Sequence, residues 1–202
     1  MASIYNLKPA FQKLLRPFSD GLAKRKITPN QVTITAVIIS FITGLLIYFN
    51  PNQRWVMLLV PIVLLLRMIL NAIDGMLARE HQMQTALGTF LNELGDVFSD
   101  TFLYLPFCMI EGIAPFLVII IVILAICSEM TGVIALQIGA VRRYEGPMGK
   151  SDRAFVFGVI GLLLGLGMHA NLWINGIFGI TILLLIYTII NRILYALKEA
   201  KQ

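Results

Sequence analysis

The stretch from Asn71 to Asp100 reads NAIDGMLAREHQMQTALGTFLNELGDVFSD. Asp74, Arg79, Glu93, Asp96 and Asp100 crowd together there, in a chain otherwise built of long apolar runs. Clustered carboxylates repel one another and partly protonate unless a positive charge sits among them. A hard divalent cation supplies that charge. Carboxylates combined with the amide oxygens of Asn71 and Asn92 suit Mg²⁺ or Mn²⁺. Arg79 adds a planar fork of donors that matches phosphate oxygens. Gly75 and Ala78 leave room beside Asp74 for a bulky ligand to approach the backbone. Metal-binding groups, a phosphate-binding arginine and small residues together point to phosphoryl transfer.

Two helices are needed to present these groups. At about 100° per residue, Arg67, Asn71, Asp74 and Ala78 fall within an arc of about 60°, which makes one polar stripe. On the following run Asn92, Glu93, Asp96 and Asp100 fall within about 100°, with Gly88 one turn before Asn92. The connection between the runs is short. The two helices are therefore expected to be antiparallel neighbours whose stripes face each other in a cavity open to the cytoplasm.

Those helices belong to a membrane protein. The chain has 202 residues, of which 58% are hydrophobic and 13% charged, and its mean hydropathy is +0.83. A soluble domain carries roughly 25% charged residues. The expected class is all-α and polytopic. Apolar runs over 32–49, 55–78, 87–110, 115–141, 154–168 and 172–195 suggest six spans. The fifth looks short because Lys150-Ser151-Asp152-Arg153 continues its helix into the interface. Lysines and arginines gather before the first run, at Arg79, from Arg142 to Arg153, and at the end of the chain; the alternate loops carry only Arg54. This distribution reads as the positive-inside rule with both termini cytoplasmic, so the net charge of +5 records topology and not a nucleic-acid surface. Leu7, Phe11, Leu14, Leu15, Phe18 and Leu22 recur at helical spacing before the first span, as in an amphipathic helix on the membrane surface. The same pattern also suits a helix packed on the bundle. Thr28, Pro29 and Gln31 have the pattern of a capping box that starts the first span. No cleavable signal peptide is expected. Residues 1–202 read as one membrane domain, with a juxtamembrane segment over 1–27 and a six-helix bundle over 28–198. Cys108 and Cys127 lie in apolar runs and read as small buried hydrophobes.

The spacing Asn71-x-x-Asp74-Gly75-x-x-Ala78-Arg79, eight residues, Gly88-x-x-x-Asn92-x-x-x-Asp96 resembles the signature of the CDP-alcohol phosphotransferase family, D-x-x-D-G-x-x-A-R-x8-G-x-x-x-D-x-x-x-D. Every spacing agrees, and Asn replaces the first and third Asp. The chain is also similar to a bacterial inner-membrane branch of that family with the same two Asn and no assigned acceptor. The resemblance implies transfer of a phosphatidyl-type group from a CDP-linked lipid to an alcohol, with release of CMP. It implies one or two Mg²⁺ or Mn²⁺ ions held at Asn71, Asp74, Asn92 and Asp96. Asp96 would be the general base, and Asp74, Gly75, Ala78, Arg79 and Gly88 would hold the CDP portion. A homodimer in the inner membrane, with its active site facing the cytoplasm, is implied too. Related enzymes place a Gly-Lys segment where Gly149-Lys150 stands. Lys150, Ser151 and Arg153 are the matching candidates for an acceptor phosphate or an anionic headgroup.

The two Asn remove two negative charges from the pattern. Three outcomes stay open: a two-metal site completed by Glu93 or Asp100, a site with one tight metal, and a site that binds CDP-lipid without catalysing. An ion-coupled transporter using the same acids is the rival from another class. Arg67 is expected to pair with Asp74, Asp100 or Glu129, and Glu129 with Arg67 or Arg153. Ser151 and Asp152 are candidate caps of the fifth helix. Arg142 and Arg143 read as topology anchors. A sugar phosphate, a glycerol phosphate, a polyol and an amino alcohol all remain acceptor candidates.

Overall fold

The computed structural model describes residues 7–200, with side chains from residue 11 onward. Among the described residues every regular element is helical. The helices are α1 (Leu7–Lys24), α2 (Pro29–Phe49), α3 (Arg54–Glu80), α4 (Ala86–Tyr104), α5 (Pro115–Ile134), α6 (Lys150–Gly165) and α7 (Leu172–Glu199). Short 3-10 segments continue α4 over Leu105–Met109 and α5 over Ala135–Ile138. Among the described residues four helices are long and apolar enough to cross a membrane: α2, α3, α5 with its extension, and α7. The other two expected spans, α4 and α6, have 19 and 16 residues.

Sequence chemistry sets the helix ends. Thr28 accepts the Gln31 N–H at 3.3 Å, and the Gln31 side chain accepts the Thr28 N–H at 2.9 Å, so the capping box forms with Pro29 just inside it. Such reciprocal bonds satisfy donors that a helix start leaves open. Thr85 caps α4 by a single bond, accepting from Gly88 N at 2.9 Å. Helix α6 begins at Lys150, as the fifth span was expected to, but its cap is Gly149. Asp152 serves from inside the first turn, accepting the Gly149 N–H at 2.9 Å, because a carboxylate at that position reaches back to the cap.

The expected pairing of α3 with α4 is corrected. Helix α2 packs against both, while α3 and α4 hardly meet along their backbones. The short connection brings their ends together, but the wedge of α2 keeps their axes apart. Helix α6 packs on α3 through Gly158, Gly161 and Gly165, where an added Cβ would meet Pro61 and Leu64, Val60, and Leu58. Small residues allow this close backbone approach. Helix α5 packs on α7. The main core centres on Phe157, stacked on Tyr104 at 4.0 Å and flanked by Phe107 and Phe178. Cys108 is half-buried, whereas Cys127 faces outward from α5; both thiols are free. The reading of Cys127 as buried fails because an apolar residue on a span is as well placed against lipid as in a core.

Helix α1 lies on α3. Phe11, Leu15 and Leu22 pack on Ile73, Met76 and Leu77, while Leu14 and Phe18 remain 68% and 66% exposed. Arg16 forks onto Glu80 at 3.0 and 3.1 Å.

Candidate active site

The starts of α2, α4 and α6 and the end of α3 surround one cavity of about 640 Å³. Asn71, Asp74, Gly75 and Ala78 share one face of α3 because they lie three or four residues apart. With Arg79 they form one wall. Gly88, Asn92 and Asp96, at steps of four on α4, form the opposite wall. Asn30 and Thr33 of α2 close the space between them, and Arg142, Tyr144 and Lys150 complete the rim. The gap that α2 holds open between α3 and α4 is thus the cavity itself.

Asp74 is buried and accepts the Thr33 hydroxyl at 2.8 Å. Asn71 Nδ2 donates to Asp96 Oδ1 at 3.4 Å, linking the two walls. The Lys150 ammonium pairs with the same Asp96 oxygen. Arg79 forms no ion pair among the described residues and folds back along its helix. A Cβ at position 75 would lie 2.9 Å from Arg79 Nη2, so Gly75 makes room for that fork. A Cβ at position 88 would meet Asn30 Oδ1 at 2.8 Å, so Gly88 brings α4 close to α2.

Below the cavity lies a layer of buried charges. Asp100 accepts from Arg67 at 2.9 Å and from Arg153 at 2.9 and 3.3 Å. Glu129 faces Arg153 at 3.1 Å, Arg142 at 3.4 Å and Arg192 at 3.6 Å. Glu93 accepts from Arg142 at 2.5 Å. Arg67 therefore takes Asp100 from its three expected partners, and Glu129 takes Arg153. Glu93 and Asp100, the candidate compensating acids, are held by arginines and are absent from the cavity lining. Of the acceptor candidates only Lys150 reaches the cavity; Ser151 is exposed and Arg153 is fully buried.

The loop from 139 to 149 delivers the rim. Gly146 adopts φ +123° against Thr188, where a Cβ would collide with side chain and backbone. Met148 N donates to Thr188 Oγ1 at 3.0 Å, and Arg192 Nη1 reaches the Ser128 carbonyl at 2.5 Å. Arg142 donates to Tyr144 Oη at 2.6 Å and lies 4.4 Å from that ring's centre. Burial opposes its charge, but the Tyr144 hydrogen bond and the carboxylates of Glu93 and Glu129 outweigh burial and raise its pKa. Sequence reading missed Arg142 and Tyr144 at the cavity, having taken Arg142 for a topology anchor. It also missed Asn30 and Thr33, which their place in the TPNQVT start of α2 could have flagged.

A second cavity of about 590 Å³, lined in part by Arg54, Glu111 and His169, opens at the other end of the bundle and holds none of the motif residues.

The fold and site define a helical membrane protein with a polar cavity at one end, lined by the carboxylates of Asp74 and Asp96, the amides of Asn30, Asn71, Gln84 and Asn92, and Arg79, which has no ion pair among the described residues. Residues 26–192 match the profile of the CDP-alcohol phosphatidyltransferases, and the chain belongs to that family. It is 46% identical over 190 residues to the inner membrane protein YnbA of Escherichia coli (strain K12), with 94% of each chain covered. It is also 35% identical over 101 residues to an uncharacterized protein of Aquifex aeolicus (strain VF5), covering 50% of this chain and 47% of that one. Its fold is similar to that of Mycobacterium tuberculosis phosphatidylinositol phosphate synthase (PgsA1) with CDP-DAG bound, at a TM-score of 0.75 and 15% identity, covering 91% of this chain and 94% of that one. The same synthase in complex with manganese and citrate gives a TM-score of 0.74 at 16% identity, covering 89% and 87%.

Proposed function

We propose that this protein transfers a phosphatidyl-type group from a CDP-linked lipid to an alcohol, releasing CMP, in phospholipid biosynthesis. The observation that carries this reading is the convergence of the motif positions of α3 and α4 on one cavity, with Asp74 and Asp96 on opposite walls.

In the reaction the acceptor hydroxyl oxygen bonds to the lipid-bearing phosphorus. The bond from that phosphorus to the CMP oxygen breaks, and CMP leaves with the electron pair. Asp96 takes the hydroxyl proton as general base. Arg79, without an ion pair among the described residues and seated over Gly75, holds phosphate oxygens of the CDP portion. Asp74, Ala78 and Gly88 complete that pocket. The donor set fits a hard divalent cation, because every ligand atom it offers is an oxygen. Among the described residues no three of His, Cys, Asp and Glu are gathered closely enough to hold a metal ion, so amide oxygens, from Asn71 and Asn92, would have to complete a carboxylate site in this cavity. Bound there, Mg²⁺ or Mn²⁺ would supply charge neutralisation on the pyrophosphate.

The full reading is a six-span protein of the bacterial inner membrane, forming one domain, with both termini and the cavity facing the cytoplasm. The basic residues at the cavity end support that orientation. The outward Leu14 and Phe18 support α1 as a surface helix that rests on lipid with one face and on α3 with the other. Homodimer formation follows from the family resemblance and is checked by the mass of the detergent-solubilised particle.

Purified protein given a CDP-lipid, Mn²⁺ and a panel of alcohols should release CMP. Asp96→Asn and Arg79→Ala should abolish that release without loss of fold. CDP-lipid binding with no CMP release from any acceptor would instead select the pseudoenzyme reading, which Asn71 and Asn92 motivate.

A further inference from the structure

The site has lost two carboxylates relative to the family signature, at Asn71 and Asn92, and no neighbouring acid replaces them. Glu93 lies on Arg142 and Asp100 lies between Arg67 and Arg153. The cavity therefore offers two carboxylates, Asp74 and Asp96. The second of these already faces a cation of the chain's own, because the Lys150 ammonium sits on Asp96 Oδ1 and the Asn71 amide donates to the same oxygen. Asp74 carries no such cation; its partner is the Thr33 hydroxyl.

Lys150 is not a loose surface lysine that happens to reach inward. It is the first residue of α6, and the chain before it is fastened at Gly149 to Asp152, at Met148 to Thr188, and at Gly146 against the α7 backbone. An ammonium so placed competes directly with a metal ion for Asp96. Like charges a few ångströms apart repel, and two carboxylates neutralise one divalent ion, not two.

We infer that Lys150 stands in for a second metal ion: the cavity takes a single divalent cation at Asp74, and the Lys150 ammonium on Asp96 is the other positive centre facing the pyrophosphate. This deepens the metal-dependent reading above and rests on it. Lys150 is then a substrate-facing group of the donor site, not part of an acceptor pocket. An ammonium replacing a divalent ion needs fewer carboxylates around it, which fits the amides at Asn71 and Asn92.

The test is the number of Mn²⁺ ions bound per full-length chain, measured by equilibrium dialysis and electron paramagnetic resonance without substrate. The native chain should bind one, and Asp74→Asn should lose it. Lys150→Arg should keep one, because the charge stays. Lys150→Met combined with Asn92→Asp should bind two, whereas Asn92→Asp alone should stay at one. Two ions in the native chain, or one ion in a folded Lys150→Met/Asn92→Asp variant, would overturn this inference while leaving metal-dependent transfer intact. No ion in the folded native chain would overturn both.

Discussion

At the residue scale, the cavity turns on what each side chain is free to do. Among the described residues Arg79 has no carboxylate partner, while the buried arginines Arg67 and Arg192 each face one and Arg153 faces two. A guanidinium spared from ion pairing keeps its donors for a ligand. Arg79→Lys keeps the charge but loses the fork. Its KM for CDP-lipid should rise roughly tenfold, equivalent to about 1.4 kcal/mol, in an assay of CMP release; an unchanged KM would remove Arg79 from the phosphate. Gly75→Ala tests the same contact from the other side. The added methyl would meet the Arg79 tip at 2.9 Å, and a flexible tip yields without unfolding the helix. CDP-lipid affinity should fall while thermal stability holds, and the reverse pattern would make Gly75 a packing residue only.

At the scale of elements, three arrangements position the chemistry: the α2 wedge, the glycine face of α6 and the fastened loop before Lys150. The buried charges join them, since Arg153 of α6 ties Asp100 of α4 to Glu129 of α5. Removing one member of a buried pair strands its partner in a poorly solvated place. Arg153→Met should cost about 3 kcal/mol of stability, read as a lower melting temperature in detergent; no shift would mean that Arg67, Arg142 and Arg192 suffice for those acids. Gly146→Ala forces a side chain onto φ +123° and into Thr188. Strain of this kind costs about 1–3 kcal/mol, so the loop should loosen and cleave faster under limited proteolysis, with Lys150 displaced from Asp96.

At the scale of the whole molecule, the polar cavity and the basic residues occupy one end of the bundle. That end holds Arg79, Arg142, Arg143, Lys150 and the Arg16–Glu80 pair between α1 and α3. The other cavity holds Arg54 alone among lysines and arginines. A cysteine introduced at Ser151, in a background with Cys108 and Cys127 removed, should be shielded from an impermeant thiol reagent in intact cells. One at Asn52 should react. Labelling in the opposite sense would invert the proposed orientation. Chelation should stop CMP release, and Mn²⁺ should restore it.

The sequence by itself determined the helical membrane class, the helix starts and the motif. Periodicity, the Thr28 capping box and the spacing from Asn71 to Asp96 are local properties, set by a few residues along one chain segment. It also placed the motif residues of α3 on one face and those of α4 on another, since helical geometry fixes those faces. It did not show that α2 separates the two helices, because neighbours in sequence need not be neighbours in packing. It narrowed the partners of Arg67 and Glu129 to short sets that include the observed Asp100 and Arg153, but could not choose among them. Glu93, Asp100 and Arg153 have the right types and share faces with the site, yet arginines and acids from distant helices claim them. Lys150 was legible as a cation near the site, but its place on Asp96 depends on Thr188 of α7 holding the loop. Charge pairing across helices is decided by three-dimensional proximity, and only the tertiary structure supplies that.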